Sequence, residues 1–398
     1  MRSENYITFN LTHKFMKFFL ASLLFFLTIE IYSQTERIVP VVIPSIEYNS
    51  NSHIGGIADI GSVASTFYPD AGLYQNPALL SNNHEYVGVN ISYMPMLSEV
   101  ISNAGNISVN GFYAIDSKNI LGYTFSRFSF GSVMLTDENG YEIATVYPQE
   151  SYHKFSYSRA ISDYVSVGLG IKLIDADMGN DLNINTFAVD LGFSNKKKYK
   201  LSKQFDLNTN LGSSINNLGP KVSYDYGITH NFIPANLKLG VLLNPEYKIS
   251  NKFNLNLEFA VQLEKDLVPS EPVYASDNSQ LIIRGYNPDI SSFQALYQSF
   301  YDSPEGFGGE LKEIRRKFGT ELRANYNNKI YVALRFGRYN DTSMRDNNNL
   351  TTTGIGIGLF GFSLDYKRVK PDLTSNPNGN FAFTLGYRVN LKGKPFRF

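Results

Sequence analysis

Histidine, serine and acid are the residues with which a chain of this composition could do acid–base chemistry, and after the N-terminal apolar run the histidines are His53, His84, His153 and His230. A hydrolase would need one of them beside a serine and an acid. His153 follows Ser151 and His230 follows Asp225, yet no G-x-S-x-G turn is present to raise a nucleophile. All four read as solvated or lumen-lining side chains, and no catalytic residue is assigned. With 0 cysteines the chain has no disulfide, no thiolate nucleophile and no Cys-ligated metal. Asp175, Asp177, Asp181 and Asn183 place oxygen atoms at positions that suit Ca²⁺. They lack the glycine and closing glutamate of an EF-hand loop, so they read as a solvated strand end. No metal and no cofactor is assigned. Lysines and arginines number 36 against 36 acidic residues, and this balance argues against a nucleic-acid partner. The basic run Lys196, Lys197, Lys198, Lys200 and Lys203 reads as a solvated turn.

What remains is pattern. Phe253, Leu255, Leu257, Phe259, Val261 and Leu263 alternate with Asn254, Asn256, Glu258, Ala260 and Gln262. The same alternation recurs in Val165 to Leu173 and in Phe381 to Leu391, with Ser166, Gly168, Gly170 and Lys172 or Ala382, Thr384, Gly386 and Arg388 on the opposite face. The glycines of Gly354, Gly356 and Gly358 take the same inward positions, so they are not phosphate loops. Fourteen such segments are expected, near 85–94, 105–115, 119–129, 151–160, 164–175, 184–194, 204–213, 235–243, 252–264, 318–326, 329–338, 351–360, 361–369 and 381–391. Each is close to the ~9–11 residues that cross a tilted barrel wall. A strand that is greasy on one side only, repeated this often, is what a membrane-spanning barrel requires. The 27 Tyr and 29 Phe suit its interfacial girdles, in a chain with no Trp. The connections alternate long and short, as in bacterial barrels with longer outer loops and short periplasmic turns. With an even strand count this places both termini, including the C-terminal Phe398, on the periplasmic side of an outer membrane.

Residues 1–33 read as a secretory signal: Lys17, the apolar run from Phe18 to Ile29, and small Ser33 before Gln34. Residues 1–15 are then an overlong leader or a start-site extension ahead of Met16. The apolar run is shorter than the ~20 residues of a spanning helix. Residues 34–84 differ from the rest, with turn signals at Gly55-Gly56, Pro69-Asp70 and Asn76-Pro77. Ile54, Ile57, Ile60, Val63 and Ala64 have helical spacing and could pack inside the barrel as a plug. Residues 85–398 form the barrel, with one long connection at 265–317. There Phe293, Leu296, Tyr297 and Phe300 fall at i, i+3, i+4 and i+7, one face of a helix. Phe307, Leu311, Ile314 and Phe318 sketch a second helix, and the pair either packs on the barrel or offers a partner surface. The expected fold is therefore all-β, a 14-stranded antiparallel transmembrane β-barrel with an N-terminal plug-like segment and a short helical insert in an outer loop.

The ordered motifs resemble those of PorV/PorQ-type outer-membrane proteins, distantly related to FadL-type barrels. Carrying the resemblance are Gly55-Gly56 with Asp59-Ile60-Gly61, Tyr74-Gln75-Asn76-Pro77-Ala78, Tyr93-Met94-Pro95, Phe128-Ser129-Phe130-Gly131 with Thr136-Asp137, and Pro304 to Ile314. The resemblance implies a noncatalytic component of the type IX secretion system, set in a lipid bilayer. Its implied partners are the translocon barrel, cargo proteins with a C-terminal signal domain, and the surface attachment complex. Phe293, Leu296, Tyr297, Phe300, Phe307 and Leu311 are the candidate partner residues, and Gly55, Gly56, Asn76, Pro77 and Ala78 the candidate plug motif. A FadL-like channel for hydrophobic compounds and a lipid A deacylase are the alternative readings.

Overall fold

Each of the fourteen alternating segments forms a strand, and together they close into one antiparallel barrel. The computed structural model describes residues 41–64, 70–82, 87–96, 103–179, 182–224, 229–275, 281–327, 329–341, 349–372 and 380–389. The signal region, His84, Asp181, Asp225 and Phe398 lie outside them. The wall consists of β1 (Val87–Pro95), β2 (Ala104–Ala114), β3 (Asn119–Phe130), β6 (Gln149–Ala160), β7 (Val165–Asp177), β8 (Asn183–Lys200) and β9 (Phe205–Leu218). It continues with β10 (Asn236–Lys248), β11 (Phe253–Asp266), β14 (Arg315–Tyr326), β15 (Ile330–Asn340), β16 (Leu350–Leu359), β17 (Phe362–Pro371) and β18 (Asn380–Val389). Neighbours in sequence are neighbours in the wall, and β1 closes on β18 in the register Val87↔Val389 to Tyr93↔Phe383. Closure leaves no unpaired strand edge, the condition for strands to cross a bilayer. Two hairpins stand off the wall: β4 (Val133–Thr136) with β5 (Glu142–Val146), and β12 (Val273–Tyr274) with β13 (Ile282–Arg284).

One end of the barrel carries the short connections 115–118, 161–164, 201–204, 249–252, 327–329 and 360–361. The segregation is sharper than the sequence suggests, because β8 runs on to Lys200 instead of turning after 194. Lys196, Lys197, Lys198 and Lys200 are therefore wall residues, and Lys203 alone of the run lies in the turn. Cross-strand acids hold Lys198 there, its Nζ 2.9 Å from Asp206 Oδ2 and 3.4 Å from Glu246 Oε2. β14 likewise starts at Arg315, ahead of the expected 318. Arg315 and Lys317 turn inward to Glu264, at 3.0 and 2.8 Å, and this extends the alternation toward the loop.

Side chains sort by face as the alternation requires. Leu173, Leu239, Leu334 and Leu385 point outward and are exposed on the isolated chain, whereas Ser166, Lys172, Gln262, Thr352, Ala382 and Thr384 are buried in the lumen. Among the described residues no helix is long and apolar enough to cross a membrane.

The lumen is filled by residues 41–64 and 70–82, which have little regular structure of their own. An irregular backbone away from water must find hydrogen-bond partners elsewhere. The inward wall residues supply them. Thr384 Oγ1 accepts from Ser52 N at 2.8 Å, Thr352 Oγ1 accepts from Ala58 N at 2.9 Å, and Gln262 Oε1 accepts from Gly61 N and Ser62 N at 3.2 and 3.0 Å. Lys367 Nζ donates to Asn49 O at 2.7 Å, and Lys154 Nζ to Tyr74 O at 3.2 Å. Ile57, Ile60 and Val63 pack on Leu242 and Ala260, while Leu73, Leu79 and Leu80 pack on Phe112 and Ile120. The segment crosses the barrel from end to end. Val41 bridges to Phe232 at the mouth with long connections, whereas the helix Pro77–Asn82 lies against Ser158 and Gly168 and leads into β1 at the short-turn end. Val389 finishes at the short-turn end, so Val41 and Val389 stand at opposite mouths.

Candidate functional site

Asn76, Pro77 and Ala78 sit close against the inner wall. Asn76 Nδ2 donates to Ser62 O at 2.7 Å and to Phe193 O of β8 at 2.9 Å, and Asn76 Oδ1 accepts from Ala78 N at 3.1 Å. One side chain thus ties two stretches of the segment to the wall. The glycines opposite are required by contact: a Cβ at Gly168 would stand 2.3 Å from Ala78 N, and one at Gly192 would stand 2.2 Å from Asn76 Oδ1. Gly55 and Gly56 belong to the helix Ser52–Gly56, whose N-cap Asn51 accepts from His53 N and Ile54 N. A Cβ at Gly55 would strike the Lys367 side chain at 2.3 Å, and Gly56 faces Gly354.

The lumen around this segment is charged and paired. Asp190 lies 2.7 Å from Lys154 and 3.1 Å from Lys172, and Arg335 joins Glu321 at 2.6 Å to Asp365 at 2.7 Å. Partners of this kind are what buried charges need.

The insert between β11 and β14 forms two helices, Ser292–Gln298 and Phe307–Lys312. A capping box starts the first: Ser291 Oγ accepts from Gln294 N at 3.2 Å while Gln294 Oε1 accepts from Ser291 N at 3.1 Å. Ala295, fully buried, packs this helix on Phe232 and Val268. The large apolar face points away, with Phe293 76% exposed and Tyr297 exposed, and Leu296 half-buried. Phe300 lies beyond the last helical turn and is also exposed. In the second helix Phe307 is 78% exposed and Leu311 exposed, while Gly309 and Glu310 face inward. Ile314 and Phe318 do not extend this helix, since it ends at Lys312 and Phe318 belongs to β14. Small residues, Ala295 and Ser299 at i and i+4, mark the buried side of the first helix. Weighting by large apolar residues passes over that signal.

A second exposed element at the same mouth is the β4–β5 hairpin, which bears Met134, Tyr141, Ile143 and Tyr147 in exposed positions. Its mark in the sequence is Asn139-Gly140 between two β-prone runs, with Gly140 at φ 84° and Asp137 Oδ1 accepting from Asn139 N and Tyr141 N.

The candidate acid–base residues are scattered. His53 lies in the lumen 3.6 Å from Glu321 Oε2. His153 faces outward from β6, where its Nδ1 lies 2.8 Å from Tyr123 Oη, and His230 is exposed on a connection. Asp175 and Asp177 end β7 opposite Asn185 and Asn183, as a solvated strand end. A different acidic group does converge: Asp302, Glu310 and Glu313. Burial pushes the Asp302 carboxyl up to about 6, with Glu310 and Glu313 adding to the rise, and burial also raises Glu313 against the pull of Lys265.

Fold and contents define a class: an outer-membrane β-barrel of fourteen strands whose lumen is occupied by its own N-terminal segment. Residues 31–273 match the family model described as type IX secretion system protein PorV, and the chain belongs to that family. It is accordingly an outer-membrane component of type IX secretion, and not an enzyme. The match stops before the insert helices, so the likeness of Pro304 to Ile314 rests on the motif alone. Solved barrels are similar at low identity. A Pseudomonas aeruginosa FadL homologue is 11% identical, covering 89% of this chain and 100% of that one at a TM-score of 0.42. The Pseudomonas putida toluene transporter TodX is 9% identical, with 90% and 100% covered at 0.40. The Ralstonia pickettii toluene transporter TbuX is 10% identical, with 86% and 98% covered at 0.40. No curated protein matches the chain.

Proposed function

We propose that the chain is a docking barrel of type IX secretion. The mouth with the long connections faces the cell exterior. There the insert binds the C-terminal signal domain of cargo arriving through the translocon barrel, and the chain passes that cargo to the surface attachment complex. The observation that carries this reading is the outward apolar face of the insert: Phe293 and Tyr297 on the first helix, Phe300 just beyond it, and Phe307 and Leu311 on the second are exposed, while Ala295 and Glu310 anchor the two helices. Exposed aromatic side chains on a held scaffold are the usual anchors of a protein interface. Residues 34–84 act as a plug in the lumen, and the outward apolar rows of the wall meet the lipid bilayer.

In this orientation Val389 lies on the periplasmic side and Val41, the first described residue of the plug, near the exterior mouth. A channel for hydrophobic compounds needs an apolar route, and the route here is crossed by the Lys154–Asp190–Lys172 and Glu321–Arg335–Asp365 groups and by the plug itself. A lipid A deacylase would need His153 and an acid beside a nucleophile, and His153 instead contacts Tyr123.

The test is removal of residues 286–312 with a short linker joining the flanks. The prediction is a barrel that still folds and reaches the membrane while cargo stays off the cell surface. Undiminished surface display of cargo in that strain would end the proposal.

A further inference from the structure

Ser270, Asp302, Ser303, Glu310 and Glu313 meet under the second insert helix, on the side away from its exposed apolar face. Asp302 Oδ2 accepts from Ser270 N at 3.2 Å, and Ser270 Oγ donates to Glu313 Oε1 at 2.7 Å. Glu310 Oε1 accepts from Ser303 N at 2.7 Å. Lys265 Nζ approaches from β11, 2.9 Å from Glu310 Oε2 and 2.7 Å from Glu313 Oε2. Lys265 meets two of the three carboxylates, so the group keeps a net negative charge in a place with little water. Asp302 is fully buried, and its Oδ1 has no hydrogen-bond partner. A buried carboxylate oxygen left this way costs free energy unless something positive meets it.

The geometry says what would fit. One oxygen from each of Asp302, Glu310 and Glu313 lies within 4.8 Å of the other two. A calcium ion holds its oxygens at about 2.3–2.6 Å, so ligands on opposite sides of it stand about 5 Å apart. All the ligand atoms are oxygens, with no His or Cys in the group, which favours a hard cation over zinc or copper. We propose that Asp302, Glu310 and Glu313 bind a calcium ion that clasps the second insert helix to the turn before it. The ion joins the turn before the second helix, the helix itself and the residue just after it. Phe307 and Leu311 are then held on the outer side of the same helix. Nothing in this inference depends on cargo recognition, so the two stand or fall separately.

The full-length chain, purified in detergent and freed of metal with a chelator, is titrated with Ca²⁺ by calorimetry. It is also titrated with Tb³⁺, read by tyrosine-sensitised luminescence. Saturable Ca²⁺ binding in the range of about 0.1–1 mM, and its displacement of Tb³⁺, are expected. Asp302→Asn and Glu313→Gln should each weaken it by about tenfold or more, while heat-modifiable migration on gels confirms a folded barrel. Limited proteolysis supplies a second readout, with cleavage within 286–312 slowed by Ca²⁺ in the wild type and unchanged by it in Asp302→Asn. Absence of saturable Ca²⁺ binding to the wild type would overturn the site. So would folded Asp302→Asn and Glu313→Gln variants that bind as the wild type does.

Discussion

Replacing Phe293 and Phe307 together with aspartate should remove cargo from the cell surface while leaving the barrel assembled and at normal abundance. Both rings are more than three-quarters exposed, so the change removes no packing from the core. Substitutions at such positions usually alter stability by no more than about 0.5 kcal/mol. At an interface the effect is of another size. Truncating an aromatic anchor costs about 2 kcal/mol or more, and each 1.4 kcal/mol is tenfold in affinity. Two anchors exchanged for charges should therefore weaken cargo binding by about a thousandfold, allowing for imperfect additivity. The measurement is cargo retained by the purified variant, alongside surface display in cells. Binding within about threefold of wild type would mean that the insert is not the docking surface. Asp at Ala295 would not be an equivalent test, because Ala295 is buried against Phe232 and Val268 and its loss would dislodge the whole helix.

The second large effect concerns the lumen. Gly168→Val should expel the Asn76-Pro77-Ala78 stretch from the wall and open the barrel to ions. The added Cβ alone would stand 2.3 Å from Ala78 N and 2.4 Å from Pro77 C, both backbone atoms that no rotamer change can move aside. β7 itself cannot retreat, since it is paired along its length to β6 and β8. Overpacking of this kind costs about 1–3 kcal/mol when a core can adjust. Here the cheaper adjustment is for the segment to leave, breaking the two bonds of Asn76 Nδ2 on its way. Conductance across a planar bilayer should rise from near zero in the wild type to a stable open level in Gly168→Val. Protease should then cut within residues 41–82. Equal conductance and equal protection in the two proteins would show that the segment does not seal the lumen through this contact.

The wall was open to reading from sequence because its information is local and repeated. Period two in Phe253 to Leu263 or Phe381 to Val389 needs no knowledge of distant partners, and every expected strand is present. Strand ends were less legible. Whether Lys196 to Lys200 turn away or continue the wall depends on Asp206 and Glu246 across the barrel surface, which no window along the chain contains. The helical spacing in the insert was visible, but its direction was not. An apolar stripe ordinarily faces the core, and only contact with Phe232 reveals that the small residue Ala295 takes that place. The inward glycines could be counted, yet their reason lies in the plug: Gly168, Gly192 and Gly354 match Ala78, Asn76 and Gly56. The acidic cluster was invisible for a similar cause. Asp302 and Glu310 are eight positions apart on either side of a glycine-rich turn, and nothing in that spacing announces that Ser303 N reaches Glu310 Oε1.

The central claim, that this PorV-family barrel works as a docking partner in secretion and not as a free channel, is tested most directly by what it carries out of the membrane. The chain, tagged at a site away from the insert, is solubilised from native membranes under mild detergent, and the eluate is identified by mass spectrometry. The account predicts that a much larger translocon barrel and proteins ending in the C-terminal signal domain elute with it, and that both are lost when residues 286–312 are absent. Elution of the barrel alone, or with a bound hydrophobic small molecule in place of protein partners, would contradict it.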